Sequence, residues 1–174
     1  MTNLSRRDAL KLSLLTGAMP FVRHGDLPRL RADRLRLGVV GVGNRGAANL
    51  AAVSHEHVVA LCDVDDRYLK SAANEYQETA TFRDYREMLE ADLDLDAVVV
   101  STPDHTHAPA SMAAMQRGLH CYCEKPLTHS VEEAKAMAKL GTGLVTQMGT
   151  QIHAGDNYRR VVELMRSKPI GKVS

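Results

Sequence analysis

Gly41-Val42-Gly43-Asn44-Arg45-Gly46 has the spacing G-x-G-x-x-G and stands between an apolar run and an alanine-rich segment. A strand, a tight turn and a helix in that order can hold a diphosphate. Gly41 permits the turn, Gly43 leaves room where a side chain would strike the pyrophosphate, and Gly46 lets the helix pack closely on the strand. The helix N-terminus offers N–H groups and about half a positive charge to the phosphates. Asn44 and Arg45 complete this candidate set, with Arg45 directed either at a phosphate or at solvent. Asp63 closes the next apolar run, 17 residues after Gly46. Its carboxylate suits both hydroxyls of an adenosine ribose and repels a 2′-phosphate, so NAD is expected rather than NADP. Asp65 competes for that role, and an Asp in an ordinary turn is the plain alternative. His105, His107, His120, Cys121 and Cys123 raise a second chemistry, because H-x-H and C-x-C each turn two zinc-type ligands to one face of a strand. Cys121 and Cys123 fall within a predicted buried strand, where free cysteine acts as a small hydrophobe. No metal is expected.

The elements that must position these residues alternate strand and helix. Apolar runs predict strands at 36–40, 57–62, 81–82, 97–100, 120–123 and 144–148. Helices are predicted at 47–54, from 66 to about 76 with Asp65 as cap, near 85–90, and to 117 with Pro109 in the first turn and Gly118 as stop. Ser130-Val131-Glu132-Glu133 reads as a capping box for a helix ending before Gly141. Asp156 is the expected cap of a last helix over 157–166. Six strands with intervening helices predict an α/β fold, a doubly wound parallel sheet of Rossmann type.

Two further motifs follow predicted strands. Thr102-Pro103-Asp104 with His107 comes after the fourth strand, and Glu124-Lys125-Pro126 after the fifth. Open α/β sheets place their ligands at such strand ends. Together with the glycine turn, these motifs resemble the Gfo/Idh/MocA oxidoreductase family, whose patterns are T-P-N-x-x-H and E-K-P. Asp104 replaces the commoner Asn. The resemblance covers roughly residues 34–174. It implies that Thr102, Pro103 and His107 border the cofactor, that Glu124 holds a ribose, and that Lys125 meets the substrate hydroxyl as the proton-transfer residue, with a Lys-Pro bond that is often cis. Oxidising an alcohol does need a base to take the hydroxyl proton as hydride leaves carbon, and general-base help is worth about 10²–10⁴ in rate. The plain alternative for Lys125 is a solvated strand end or a partner of Glu124. Gln151, beyond the sixth strand, is a candidate substrate contact or an ordinary loop residue.

The chain has 174 residues, 44% hydrophobic and 25% charged, with a net charge of +1. That composition is globular, and the charge excludes a broad nucleic-acid patch. Aromatics are 4% with no Trp, so no stacking platform for single strands exists. No apolar run reaches the roughly 18 residues of a stable membrane span. Three cysteines are too few for a disulfide scaffold. Residues 1–25 carry Arg6-Arg7 ahead of a short apolar stretch and resemble a twin-arginine export signal, with an amphipathic helix as the alternative. Export to a bacterial periplasm follows; left uncut, the segment would act as a weak membrane anchor. It holds four basic residues (Arg6, Arg7, Lys11, Arg23) and one acid (Asp8) of the chain's 22 and 21, which leaves the body at −2.

The expected organisation is a signal at 1–25, a linker at 26–34, an NAD-binding domain at 35–150, and at 151–174 a connecting helix leading into a second α/β domain. The resemblance implies that this second domain completes the substrate pocket and any homo-oligomer, so cofactor binding with little turnover is expected of these residues. The leading reading is an NAD-dependent oxidoreductase of a sugar, polyol or related alcohol. Two others stand beside it: an NAD-dependent glycoside hydrolase that oxidises its sugar transiently, and a non-catalytic nucleotide-binding module that would not notice loss of Lys125. Elemental analysis of purified protein should find no zinc; one equivalent per chain would overturn the choice against a metal.

Overall fold

Valine-rich runs bounded by turn residues become strands buried on both faces. The computed structural model describes residues 34–150, 153, 155–167 and 171. The expected signal at 1–25, nearly all of the linker, and Gln151 lie outside the described residues. Six strands form one sheet: β1 (Arg36–Val40), β2 (His57–Cys62), β3 (Ala80–Phe82), β4 (Ala97–Val100), β5 (His120–Glu124) and β6 (Thr146–Gly149). All pairings are parallel, and the order is β3-β2-β1-β4-β5-β6. The helices are α1 (Arg45–Ala52), α2 (Asp66–Glu75), α3 (Tyr85–Glu90), α4 (His107–Gln116), α5 (Val131–Leu140) and α6 (Asp156–Arg166). This is the doubly wound Rossmann-type sheet that the alternation predicted.

Side-chain alternation divides the core between the two faces of the sheet. Val98 and Val100 of β4 pack with Met88, Ala108, Ala114 and Met137 from α3, α4 and α5. Val99, one residue out of phase, packs with Val39, Leu50, Leu61 and Leu69 on the side of α1 and α2. Among the described residues no helix is long and apolar enough to cross a membrane.

Several boundaries differ from expectation for local reasons. Helix α1 starts at Arg45 rather than Ala47, so Gly46 is inside it. Strand β5 runs on through Glu124, which pairs with Gly149. Strand β6 lies two residues later than its start was predicted. Leu144 is still in a turn, its N–H donating to the Gly141 carbonyl, and the Val145 N–H donates to Nδ1 of His120. The first three residues of β6 are exposed, as suits an edge strand. Ser130 caps α5 by accepting from the Glu133 N–H, but Glu133 reaches back to the N–H of His129 instead of Ser130. Asp156 is not a cap; it is the first residue of α6, Gly155 takes the cap position, and no side chain bonds there. A short 3₁₀ turn at Asp104–Thr106, absent from the sequence reading, leads into α4.

Leu61 is fully buried near the carboxyl end of β2, whereas Val145 is 70% exposed. Leu61→Ala should therefore cost about 2–5 kcal/mol in urea unfolding, while Val145→Ala should stay within about 0.5 kcal/mol.

Candidate functional site

The strand order reverses between β1 and β4, and the loops beyond their carboxyl ends part to leave a cleft. Its volume is about 670 Å³, and Gly41, Gly43, Asn44, Arg45, Asp63, Asp65, Tyr68, Tyr85, Arg86, Thr102, Pro103 and His105 are among its walls.

Backbone crowding explains the glycines. Gly41 has φ +84°, and a Cβ there would stand 2.7 Å from the Ser101 carbonyl group. A Cβ on Gly46 would overlap the Gly41 carbonyl oxygen. At Gly43 the neighbour is unexpected: a Cβ would come within 2.6 Å of the Tyr68 ring, which projects from α2. The turn is closed by Gly41 N–H donating to the Cys62 carbonyl and Gly46 N–H donating to the Gly43 carbonyl, both at 2.8 Å. Asn44 takes φ +47° with ψ −109°, outside the left-handed helical well that Asn commonly adopts, and no side chain caps α1. The start of α1 is thus arranged to meet an anion.

Asp63 is tied to this turn. Its Oδ2 accepts from the Val42 N–H and its Oδ1 from the Asp65 N–H, each at 2.9 Å. Its competitor Asp65 is engaged locally. It caps α2 through the Arg67 N–H and pairs with the Arg67 guanidinium at 2.6 Å. The Arg67 side-chain hydrogen bond, helped by its backbone N–H, pulls the Asp65 carboxyl down to about 2.

Thr102 and Pro103 form the opposite wall. Oγ1 of Thr102 is buried without a hydrogen-bond partner among the described residues. A buried hydroxyl left alone is costly, so a polar ligand group in the cleft would relieve it. His107 does not line the cleft. It is 1% exposed behind that wall, with Nε2 2.7 Å from the Thr102 carbonyl oxygen and Nδ1 2.6 Å from that of Pro126.

Glu124 sits deeper than an open ribose contact suggests. It is 5% exposed, and its Oε1 accepts from Arg45 Nε (3.1 Å), Asn49 Nδ2 (2.9 Å) and the Tyr122 hydroxyl (3.1 Å). Burial opposes its charged form, yet the bonds from Asn49, Arg45 and Tyr122 outweigh burial and hold the carboxyl below its ordinary value. The Arg45 guanidinium is raised in turn, chiefly by its hydrogen bond to Glu124. Lys125 follows immediately, exposed, in a bend where the Lys125–Pro126 bond is cis.

The sequence reading missed Asn49, Ser101, Tyr122, Tyr68 and Gly149. Asn49 was the polar exception in an alanine-rich helix, and it also donates to Oγ of Ser101 at 2.8 Å. Tyr122 lies two residues before Glu124, on the same face of β5. A Cβ at Gly149 would run into the Tyr122 hydroxyl and the Glu124 carboxyl. Cys62, Cys121 and Cys123 are buried and free. Burial foremost pushes the Cys62 and Cys123 thiols up to about 12, which disfavours the thiolate that a metal needs. Among the described residues no three or more His, Cys, Asp or Glu are grouped to hold a metal ion.

The model of the Gfo/Idh/MocA oxidoreductase family, NAD-binding Rossmann fold, matches residues 35–149. The chain belongs to this family. Its cofactor is NAD, and the uncapped α1, the glycine turn, Asp63 and the unpartnered Thr102 hydroxyl fit that group. Myo-inositol 2-dehydrogenase from Lactobacillus plantarum is similar with TM-score 0.75 and 28% identity, over 81% of this chain and 43% of that one. Scyllo-inositol dehydrogenase from Lactobacillus casei, solved with NAD(H) and scyllo-inositol, gives TM-score 0.72 and 26% identity over 80% and 43%. A glycosyl hydrolase family 109 protein from Shewanella sp. (strain MR-4) is 31% identical over 159 residues, 82% of this chain and 34% of the relative. The chain therefore spans between about a third and somewhat over two fifths of the length of these proteins.

Because the folded-state Glu124 carboxyl is held low, its stabilisation is present above the ordinary glutamate range and lost as pH falls through the lowered value. Glu124→Gln should cost about 1–3 kcal/mol near neutral pH. Unfolding titrations should find that deficit shrinking steadily on acidification.

Proposed function

We propose that these residues form the cofactor-holding half of an NAD-dependent oxidoreductase acting on a sugar, polyol or related alcohol. The observation that carries this reading is the convergence of an uncapped helix start, Asp63 and Thr102 on one cleft at the sheet's switch point. When bound, NAD accepts the hydride. All else falls to the chain. The amides around Gly43 and the start of α1 hold the diphosphate, and Asp63 accepts from ribose hydroxyls that a 2′-phosphate would replace. The Thr102–Pro103 wall limits water on one side of the cleft. Nζ of Lys125 takes the proton from the substrate hydroxyl as the carbonyl forms, and returns it in the reverse direction.

The alcohol class is supported by the two inositol dehydrogenases, whose names give their substrates. Full turnover and any homo-oligomer are assigned to the further length those relatives possess, with Gln151 a substrate contact at the junction. The Arg6-Arg7 pair ahead of an apolar stretch supports export to the periplasm in the folded state.

A second reading is favoured by the glycosyl hydrolase family 109 relative. Here the same base would assist a transient oxidation, loss of the aglycone and return of the hydride. Such an enzyme releases sugar without net reduced cofactor, which separates the two readings in one assay.

Calorimetry should show NAD bound at least tenfold more tightly than NADP, and Asp63→Ala should narrow that ratio. Absence of heat with either nucleotide would end the proposal. In a protein that turns over, Lys125→Ala should lower kcat by about 10²–10⁴ while the NAD Kd changes by less than about threefold.

A further inference from the structure

We propose that His107 is a positioning residue: its ring ties the Thr102–Pro103 wall to the Lys125–Pro126 bend and so sets where Lys125 stands relative to the cofactor. The inference rests on the functional reading above.

The ring is 1% exposed and spans two separate segments. Nε2 meets the Thr102 carbonyl oxygen at 2.7 Å, and Nδ1 meets the Pro126 carbonyl oxygen at 2.6 Å. Both segments lie beyond strand ends, Thr102 after β4 and Pro126 after β5. Carbonyl oxygens only accept, so a ring N–H makes the bond, and the tautomer decides which of the two carbonyls receives it while the other nitrogen stays within contact of its own. The ring is itself anchored as the first residue of α4. The turn before it is braced by the backbone N–H and hydroxyl of Thr106, which both donate to the Pro103 carbonyl at 2.9 and 2.8 Å. One rigid helix start thus holds the cofactor wall directly and the bend carrying Lys125 through a single ring.

A merely structural histidine would also contact both carbonyls. What distinguishes positioning is the consequence for one amine. Glu124, one residue before Lys125, is fixed by Asn49, Arg45 and Tyr122 on the other side. Residue 125 is therefore held from behind by the Glu124 cluster and from ahead by His107. Loss of the ring frees the forward tether and its contact with the Thr102 carbonyl, while Asp63 and the glycine turn are untouched.

The test uses the full chain and needs no turnover. Lysine acetylation by an N-hydroxysuccinimide acetate is followed by mass spectrometry with and without saturating NAD, with the exposed Lys135 and Lys139 of α5 as internal controls. NAD should slow acetylation of Lys125 at least tenfold in the unsubstituted chain. In His107→Asn and His107→Gln the protection should fall below about twofold, with the NAD Kd within about threefold. Protection of Lys125 retained in folded variants that still bind NAD overturns this inference alone. A fall in NAD affinity that matches the loss of thermal stability overturns it too, in favour of a purely structural role. No NAD binding by the unsubstituted chain overturns both this inference and the functional reading beneath it. If neither variant folds, nitrogen-edited NMR of the unsubstituted chain decides. A slowly exchanging ring N–H proton on His107 supports the bridge, and none overturns it.

Discussion

The contact on which the site depends is the approach of α1 to the end of β1, where Gly46 lies against the Gly41 carbonyl with no room for a Cβ. Everything at the carboxyl end of the sheet is measured from that approach. It fixes where α1 begins, and therefore where the uncapped N–H groups point. It also fixes where Arg45 and Asn49, one helical turn apart, reach across to Glu124. Glu124 ends β5, so the helix that would receive the diphosphate and the strand that delivers Lys125 are joined by one carboxylate. Larger residues at 41 or 46 would not simply crowd the turn. They would move the frame that locates the cofactor and the base together.

The join is made from a buried charge. Withdrawing a carboxylate from water costs several kcal/mol, and here the bonds from Asn49, Arg45 and Tyr122 outweigh that burial while fixing the geometry. Here Glu124 answers to three donors from two elements, and Asn49 also reaches Ser101 at the end of β4. Three strand or helix ends are thereby registered against one another. Gly149 on the edge strand β6 has to stay small for this cluster to fit. His107 makes a comparable join with an uncharged backbone at each end. Polar connections thus surround the site, while the apolar clusters on the two faces of the sheet carry the bulk of the folding energy.

Much of this was legible in the residues themselves. The glycine spacing, the strand runs and the caps at Asp65 and Ser130 are local signals, each read from a stretch short enough for backbone preference and side-chain period to decide. A boundary that differs can be decided from outside its segment. Strand β6 begins late because His120, on another strand, takes the Val145 N–H. Asp156 is a local difference: it lies inside α6, with Gly155 directly before it at the cap position.

The sequence by itself determined a doubly wound sheet, the phosphate turn after its first strand, and the acid at the end of the second. Those features depend on which residues neighbour one another along the chain. Only the tertiary structure decided that Tyr68 stands over Gly43, that Arg45 and Asn49 converge on Glu124, and that one buried ring spans Thr102 and Pro126. Each of those pairings joins separate loops or elements of the sheet. Strand order and helix position bring them together, and a side chain's type and spacing record nothing of what will face it.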